Sequence, residues 1–222
     1  MNLLVVGGVQ VAIDDGTVQW RAGLTIDADG SPHAYAPANS GLVALDYLAD
    51  AGHGVDEKHP VANWYGVVTD TGLHTGTPII QGPNDPAPGY YVSPTALEDA
   101  SKLERDPLRY VNAEVVPYLA IPPDLERFQG ARLLRMGDVA MVRYRDRQVA
   151  AILADVGPHG KLGEGSIALA EALGMDSSPK HGGVGGGVSV VVWRESAHGW
   201  PRSLESIAHQ VASLMAPQTI AA

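Results

Sequence analysis

Cysteine is absent from this 222-residue chain, which excludes disulfides, thiolate catalysis and any cysteine-ligated zinc site. The absence does not identify a compartment. No apolar run approaches the roughly 20 residues of a membrane span, so no membrane partner is expected. The opening MNLLVVGGVQVAI lacks the basic n-region of a signal peptide, and its Gly-Gly pair and alternation suit a first strand better. Positive charge is scarce as well: 15 Lys and Arg face 25 Asp and Glu, for a net charge of -10. That balance disfavours nucleic acid, whose phosphates require a basic surface. An acidic cleft would instead attract a cationic polymer.

Several chemical signatures are missing too. The eight histidines are scattered, with no H-E-x-x-H or comparable close pair, and no metal or other cofactor is expected. Ser166 is not the centre of a G-x-S-x-G elbow. The glycine cluster from Gly182 to Gly187 is followed by a β-run rather than a helix, so it reads as a flexible loop before a strand and not as a phosphate cradle. No internal repeat or low-complexity linker divides the chain, and a single domain over 1–222 is the economical reading.

What the sequence does contain is many short β-rich runs: Leu3 to Val6, Val18 to Ile26, Tyr65 to Thr69, Val115 to Ile121, Val139 to Tyr144, Val149 to Ala154 and Val188 to Trp193. Turn residues such as Asp14-Asp15-Gly16 and Asp29-Gly30 separate them. Arg145-Asp146-Arg147 reads as a hairpin tip. Two helices are expected, Glu164 to Leu173, closed by Gly174 as a C-cap, and Leu204 to Leu214. This mixture predicts a mainly β fold, a closed barrel with appended loops and two short helices.

The most informative segment is ILADVGPHGKLGEGSIALAEALGM, Ile152 to Met175. Asp155 and Glu164 stand on either side of a Gly- and Pro-rich turn between a strand and a helix, so one core mouth can hold both. Two carboxylates are what glycosidic hydrolysis requires, one to protonate the leaving oxygen and one to activate water or attack carbon. The plain structural alternative is that turns favour Asp and helix starts favour acids. Upstream, Asp27 to Tyr91 gathers polar and aromatic residues suited to a sugar cleft, among them Asp29, His33, Tyr35, Tyr65, Gln81, Asp85, Tyr90 and Tyr91. Asp29, Tyr35, Gln81, Asp85 and Tyr90 are the expected substrate contacts. For Trp64 and Tyr65 a core position is the competing reading, and for Asp85 a turn.

Four stretches, YVNAEVVPYLAIPPDL, GDVAMVRYRDRQVAAILADVGPHGKLGEGSIALAEALGM, GVSVVVWRES and DADGSPHAYAP, resemble the chitosanases of glycoside hydrolase family 75, particularly bacterial relatives. The D-x-G…G-E-x-S core is the specific part, and the likeness runs from about Ile26 to Ser196. The resemblance implies a six-stranded double-psi β-barrel. It also implies an exported, endo-acting inverting hydrolase of chitosan or a related amino-sugar polymer, with essential acids at Asp155 and Glu164. Glu164 is expected as the general acid and Asp155 as the base, with Asp29 as a rival base. Two other classes stay open: a peptidoglycan or chitin hydrolase on the same barrel, and a noncatalytic carbohydrate-binding domain.

Overall fold

The computed structural model describes residues 2–216. Twelve strands appear in chain order: β1 (Asn2–Val6), β2 (Val9–Asp14), β3 (Thr17–Asp27), β4 (Gly52–His53), β5 (Asn63–Trp64), β6 (Tyr118–Ile121), β7 (Arg127–Phe128), β8 (Ala131–Arg132), β9 (Val139–Tyr144), β10 (Arg147–Val156), β11 (Glu164–Ser166) and β12 (Val184–Trp193). Helices are few: a single turn α1 (Pro123–Glu126), α2 (Ile167–Leu173) and α3 (Leu204–Met215).

Six strands close into a barrel in the order β3-β11-β6-β10-β9-β12, with β12 returning to β3. Two seams, β3 with β11 and β6 with β10, are parallel; the other four are antiparallel. The mainly β, six-stranded closed barrel is the expected one. β1 and β2 extend it as a hairpin on β3. Closure leaves no unpaired edge between the barrel strands, so their backbone polar groups are satisfied within the wall.

Strand alternation explains how the wall is buried on both sides. Leu119 and Ile121 of β6, Ala140 and Val142 of β9, and Ala151 and Leu153 of β10 enter one core with Leu24, Val190 and Val192. Their neighbours Tyr118, Val139, Met141, Ile152 and Ala154 enter a second core. That second core includes Ala34, Tyr35, Val111 and Val116 from the long loops, Trp64 from β5, and Ile207 and Val211 from α3. Two-sided burial is why β6 and β9 read as continuous apolar runs rather than alternating ones. Each buried Leu, Ile, Val or Met among them contributes roughly 1.5–3 kcal/mol, and the alanines less. Truncating fully buried Leu153 to Ala would remove about 2–5 kcal/mol.

Several expected boundaries move. Glu164 does not open a helix; it begins β11, in which Glu164 pairs with Thr25 and Ala120. The helix starts three residues later, where the buried Ser166 hydroxyl accepts the Leu169 N–H at 3.1 Å as N-cap. Gly174 closes α2 at φ 71°, as expected. Tyr65 to Thr69 is not a strand, because the N–H groups of Tyr65 and Gly66 both donate to the Ala51 carbonyl and turn the chain. The run from Val115 becomes a strand only at Tyr118: Val115 and Val116 donate back to Asn112 O, and Pro117 has no N–H for a ladder. The glycine cluster, expected as a loop, carries the start of β12 with a register break between Val184 and Val188. The β9–β10 hairpin turns at Arg145 and Asp146, with Arg145 at φ 53°.

Candidate active site

The acidic residues meet at one mouth of the barrel because three strands end or begin there. β3 ends at Asp27, β10 passes through Asp155, and β11 starts at Glu164. Ala120 of β6 is the common reference point, paired with Asp155 on one side and Glu164 on the other. The two acidic backbones are thus two strand spacings apart, about 10 Å. A register break between Leu153 and Asp155 re-aims the second carboxylate, a usual role of bulges beside sites.

Asp155 is fixed by two backbone donors, Val156 N at 2.9 Å and Ala96 N at 3.0 Å, both on Oδ1. Asp27 Oδ1 accepts the Asp29 N–H at 2.8 Å. The tight turn that follows needs Gly30, at φ 76°, where a Cβ would lie 2.1 Å from the Val111 carbonyl oxygen. Ser93 Oγ accepts Gly30 N at 3.2 Å and stands 3.0 Å from Gly66 O and 3.1 Å from Asp29 Oδ1. A hydroxyl has one proton, and the Gly66 carbonyl can only accept. All three contacts are satisfied together when the Asp29 carboxyl itself carries a proton and donates it to Ser93.

Electrostatics lead to the same conclusion. Asp27, Asp29 and Asp155 each place a carboxylate oxygen within 4.8 Å of the others. Burial, reinforced by the nearby Glu164, pushes Asp27 from 3.8 up to about 7. Burial and the neighbouring Asp27 raise both Asp29 and Asp155 well above the usual carboxylate range. Three such groups reconcile their charge either by sharing protons or by binding a hard divalent cation, for which an oxygen triad is suitable. The Tyr35 and Tyr118 phenols, pushed up by burial and these acids, stay protonated. Tyr35 hydrogen-bonds the Asp29 carboxyl, and Tyr118 donates to the Asp29 carbonyl at 2.9 Å.

Glu164 is not part of this oxygen triad, though it is close enough for its charge to raise Asp27 and Asp155. Its Oε1 is 3.2 Å from Lys161 Nζ, and Gly157 passes so close that a Cβ there would sit 2.7 Å from Glu164 Oε2. The turn carrying Lys161 is anchored by Gly160 N donating to Asp124 Oδ2 at 3.1 Å. His159 at its tip is solvated, with 80% of its side chain exposed.

A cavity of about 680 Å³ joins these groups. Asp27, Asp29, Asp46, Asp50, Asp155 and Glu164 line it, with Tyr35, Tyr65, Pro158 and Lys161. Asp46, itself pushed up to about 6 chiefly by burial, widens the acidic field toward Asp50. Of the expected residues, Asp155, Glu164, Asp29 and Tyr35 are brought together. The other three lie outside the cavity lining. Gln81 is buried and bonded entirely to backbone: Nε2 donates to Pro32 O and Tyr91 O, and Oε1 accepts Ala87 N. Asp85 accepts Gly82 N at 2.7 Å and shapes the turn. Tyr90 packs edge-on against His33 and donates to Val43 O. These three brace loops where substrate contacts were expected.

Of three further lining acids, Asp27 was expected only as a member of the polar stretch suited to a sugar cleft, and Asp46 and Asp50 received no role. Asp27 belongs to the D-x-D of DADG, a visible signal whose inward aim depends on β3 ending there. Asp46 sits in an irregular loop and Asp50 in the one-turn 3-10 helix Leu48–Ala51 that follows it, with no pattern to reveal them. Trp64 is core while its neighbour Tyr65 is 56% exposed and lines the cavity. Among the described residues no helix is long and apolar enough to cross a membrane. Comparison with family models and with curated proteins finds no match to this chain, so the resemblance to family 75 chitosanases rests on the residues that carry it.

Proposed function

We propose that the acidic cavity hydrolyses β-1,4 links of chitosan or a closely related amino-sugar polymer by a two-carboxylate inverting mechanism. The observation that carries the reading is the lining itself: six carboxyl groups and one lysine in a single cavity, with Asp155 and Glu164 flanking Ala120. A backbone separation of about 10 Å is compatible with the roughly 6.5–9.5 Å between carboxyl groups that leaves room for an attacking water. The exposed Tyr65 ring offers a face for a pyranose, and the acidic field favours protonated amines.

The raised Asp side supports an assignment of roles opposite to the one expected from sequence. A general acid must keep its proton near neutral pH. Asp155, sharing protons with Asp27 and Asp29, meets that need and would protonate the leaving oxygen. Glu164, on the other side of Ala120 and beside Lys161, would take a proton from the attacking water. Asp29, tied into the triad by Tyr35 and Ser93, is then a supporting group rather than the base.

Mass spectrometry of products after incubation with chitosan, chitin and peptidoglycan tests the substrate. Oligomers released from chitosan ahead of the other two support the reading. Preferential release from peptidoglycan or chitin would transfer the same chemistry to N-acetylated sugars, and no product from any of the three would leave a binding role.

A further inference from the structure

A second, smaller cavity of about 240 Å³ adjoins the acidic mouth. Tyr65, 56% exposed, lines both. Residues 93–98 tie the two together. Ser93 stands against the Asp29 carboxyl at 3.1 Å, the Ala96 N–H donates to Asp155 Oδ1 at 3.0 Å, and Pro94 and Glu98 line the second cavity.

The walls of this cavity are both accessible and fixed. Leu73 is 64% exposed, and His74 and Glu104 are exposed with it. The Thr69 hydroxyl donates to the Leu73 carbonyl at 2.7 Å. The His74 ring donates from Nδ1 to the Trp64 carbonyl, and the Trp64 N–H donates back to His74 O at 2.8 Å. An ordered turn therefore holds an apolar side chain out in solvent. On the other wall the buried Tyr110 donates its hydroxyl to the Glu104 carbonyl at 2.8 Å.

Charge narrows the ligand class. The two carboxylates of the lining are unequal: Arg109 Nε donates to Glu98 Oε2 at 2.8 Å and neutralises it. Among the described residues the Glu104 carboxylate has neither an ion pair nor a hydrogen bond. No lysine or arginine lines the cavity. Exposed leucine and tyrosine beside a free carboxylate suit a ligand with one apolar face and one cationic group. A glucosamine unit is such a ligand, with C–H bonds on its ring face and an ammonium at its edge. The volume lies below the roughly 300–1,000 Å³ of sites for drug-sized ligands, in keeping with a single sugar ring.

We propose that this cavity is a further subsite of the same cleft. It takes one glucosamine unit of a chain whose scissile link lies in the acidic mouth, with the ring against Leu73 and Tyr65 and the ammonium on Glu104. The proposal rests on the reading of the mouth as a glycoside hydrolase site. A short oligomer is drawn to the mouth, where six carboxyl groups gather, and only a longer one reaches past Tyr65.

Calorimetric titration with glucosamine oligomers from dimer to hexamer, in mildly acidic buffer where the amines are protonated, tests this. The Glu164→Gln background keeps the oligomers intact. Glu104→Gln should weaken the hexamer at least about threefold and leave the dimer unchanged, while fully acetylated hexamers do not respond. Leu73→Ser should weaken acetylated and deacetylated hexamers alike. Equal losses for dimer and hexamer, no loss in either variant, or a Glu104→Gln loss shared by acetylated hexamers would overturn the proposal. Incubation with the unaltered protein separates it from the reading beneath it. Length-dependent losses with oligomers left uncut would remove the hydrolase reading and keep the subsite; cleavage without those losses would do the reverse, and no binding of any oligomer would remove both.

Discussion

Asp27 makes the barrel mouth less stable than it need be, and Asp27→Asn should reveal by how much. Asparagine keeps the Oδ1 that accepts the Asp29 N–H and removes only the ionisation. Below pH 3.8 the carboxyl is protonated in both folded and unfolded chains, so the two proteins should be equally stable. Between 3.8 and about 7 the unfolded chain releases its proton while the folded chain keeps it, so wild-type stability falls as pH rises. Above about 7 the folded carboxyl also ionises and the deficit levels off. At about 1.4 kcal/mol per unit the full rise corresponds to on the order of 4 kcal/mol. Partial opening of Asp27 to the cavity and proton sharing within the triad reduce this to about 2–4 kcal/mol. Urea unfolding followed by tryptophan fluorescence at a series of pH values measures the difference. Asp27→Asn should match wild type near pH 4 and exceed it by that amount near pH 8, while losing activity, as expected of a site strained for function. A stability difference that stays constant across the series would refute the burial argument, and so would a variant less stable than wild type near pH 8.

The remaining predictions concern catalysis. Glu164→Gln and Asp155→Asn should each fold normally and lose at least about a hundredfold in rate on chitosan; near-wild-type turnover by either would remove that residue from the reaction. Azide should restore turnover to Glu164→Ala, where it can replace the activated water, and not to Asp155→Ala; rescue confined to Asp155→Ala would return the acid role to Glu164. Raising salt from about 0.05 to 0.5 M should raise KM on chitosan more than it lowers kcat, with acetylated oligomers less affected, and salt-independent KM values would argue against charge steering. Gly157→Ala, whose Cβ would press on Glu164 Oε2, should lower kcat by about tenfold or more with little change in unfolding midpoint; unaltered kcat would show that the Glu164 carboxylate can shift without consequence.

Those parts of the fold governed by local pattern could be read from the sequence, and those governed by partners could not. Val139 to Tyr144 was legible as a strand because it is a short apolar run with two valines and a tyrosine, and a two-residue turn follows; Gly174 announced the end of α2 as a glycine just past its apolar stripe. β11 was hidden because Glu164-Gly165-Ser166 has no strand propensity of its own. It is held by ladders to β3 and β6, so tertiary pairing overrides local preference. In the site, Asp155 and Glu164 were legible because they share one turn. Asp29 and Tyr35 emerged from a compact polar stretch. Asp46 and Asp50 approach only through the path of a loop and the single 3-10 turn Leu48–Ala51 that ends it. Gln81 looked like a sugar ligand by residue type, yet three backbone groups without strand or helix partners claim its whole amide.

The central claim is that this carboxylate-lined mouth hydrolyses glycosidic bonds with a water held between Asp155 and Glu164. Proton NMR of the first reducing ends released from chitosan reports that geometry, because attack by water opposite the leaving group inverts the β-link. The α-anomer should appear first and the β-anomer only later by mutarotation; initial release of the β-anomer, or no reducing ends at all, would contradict the account.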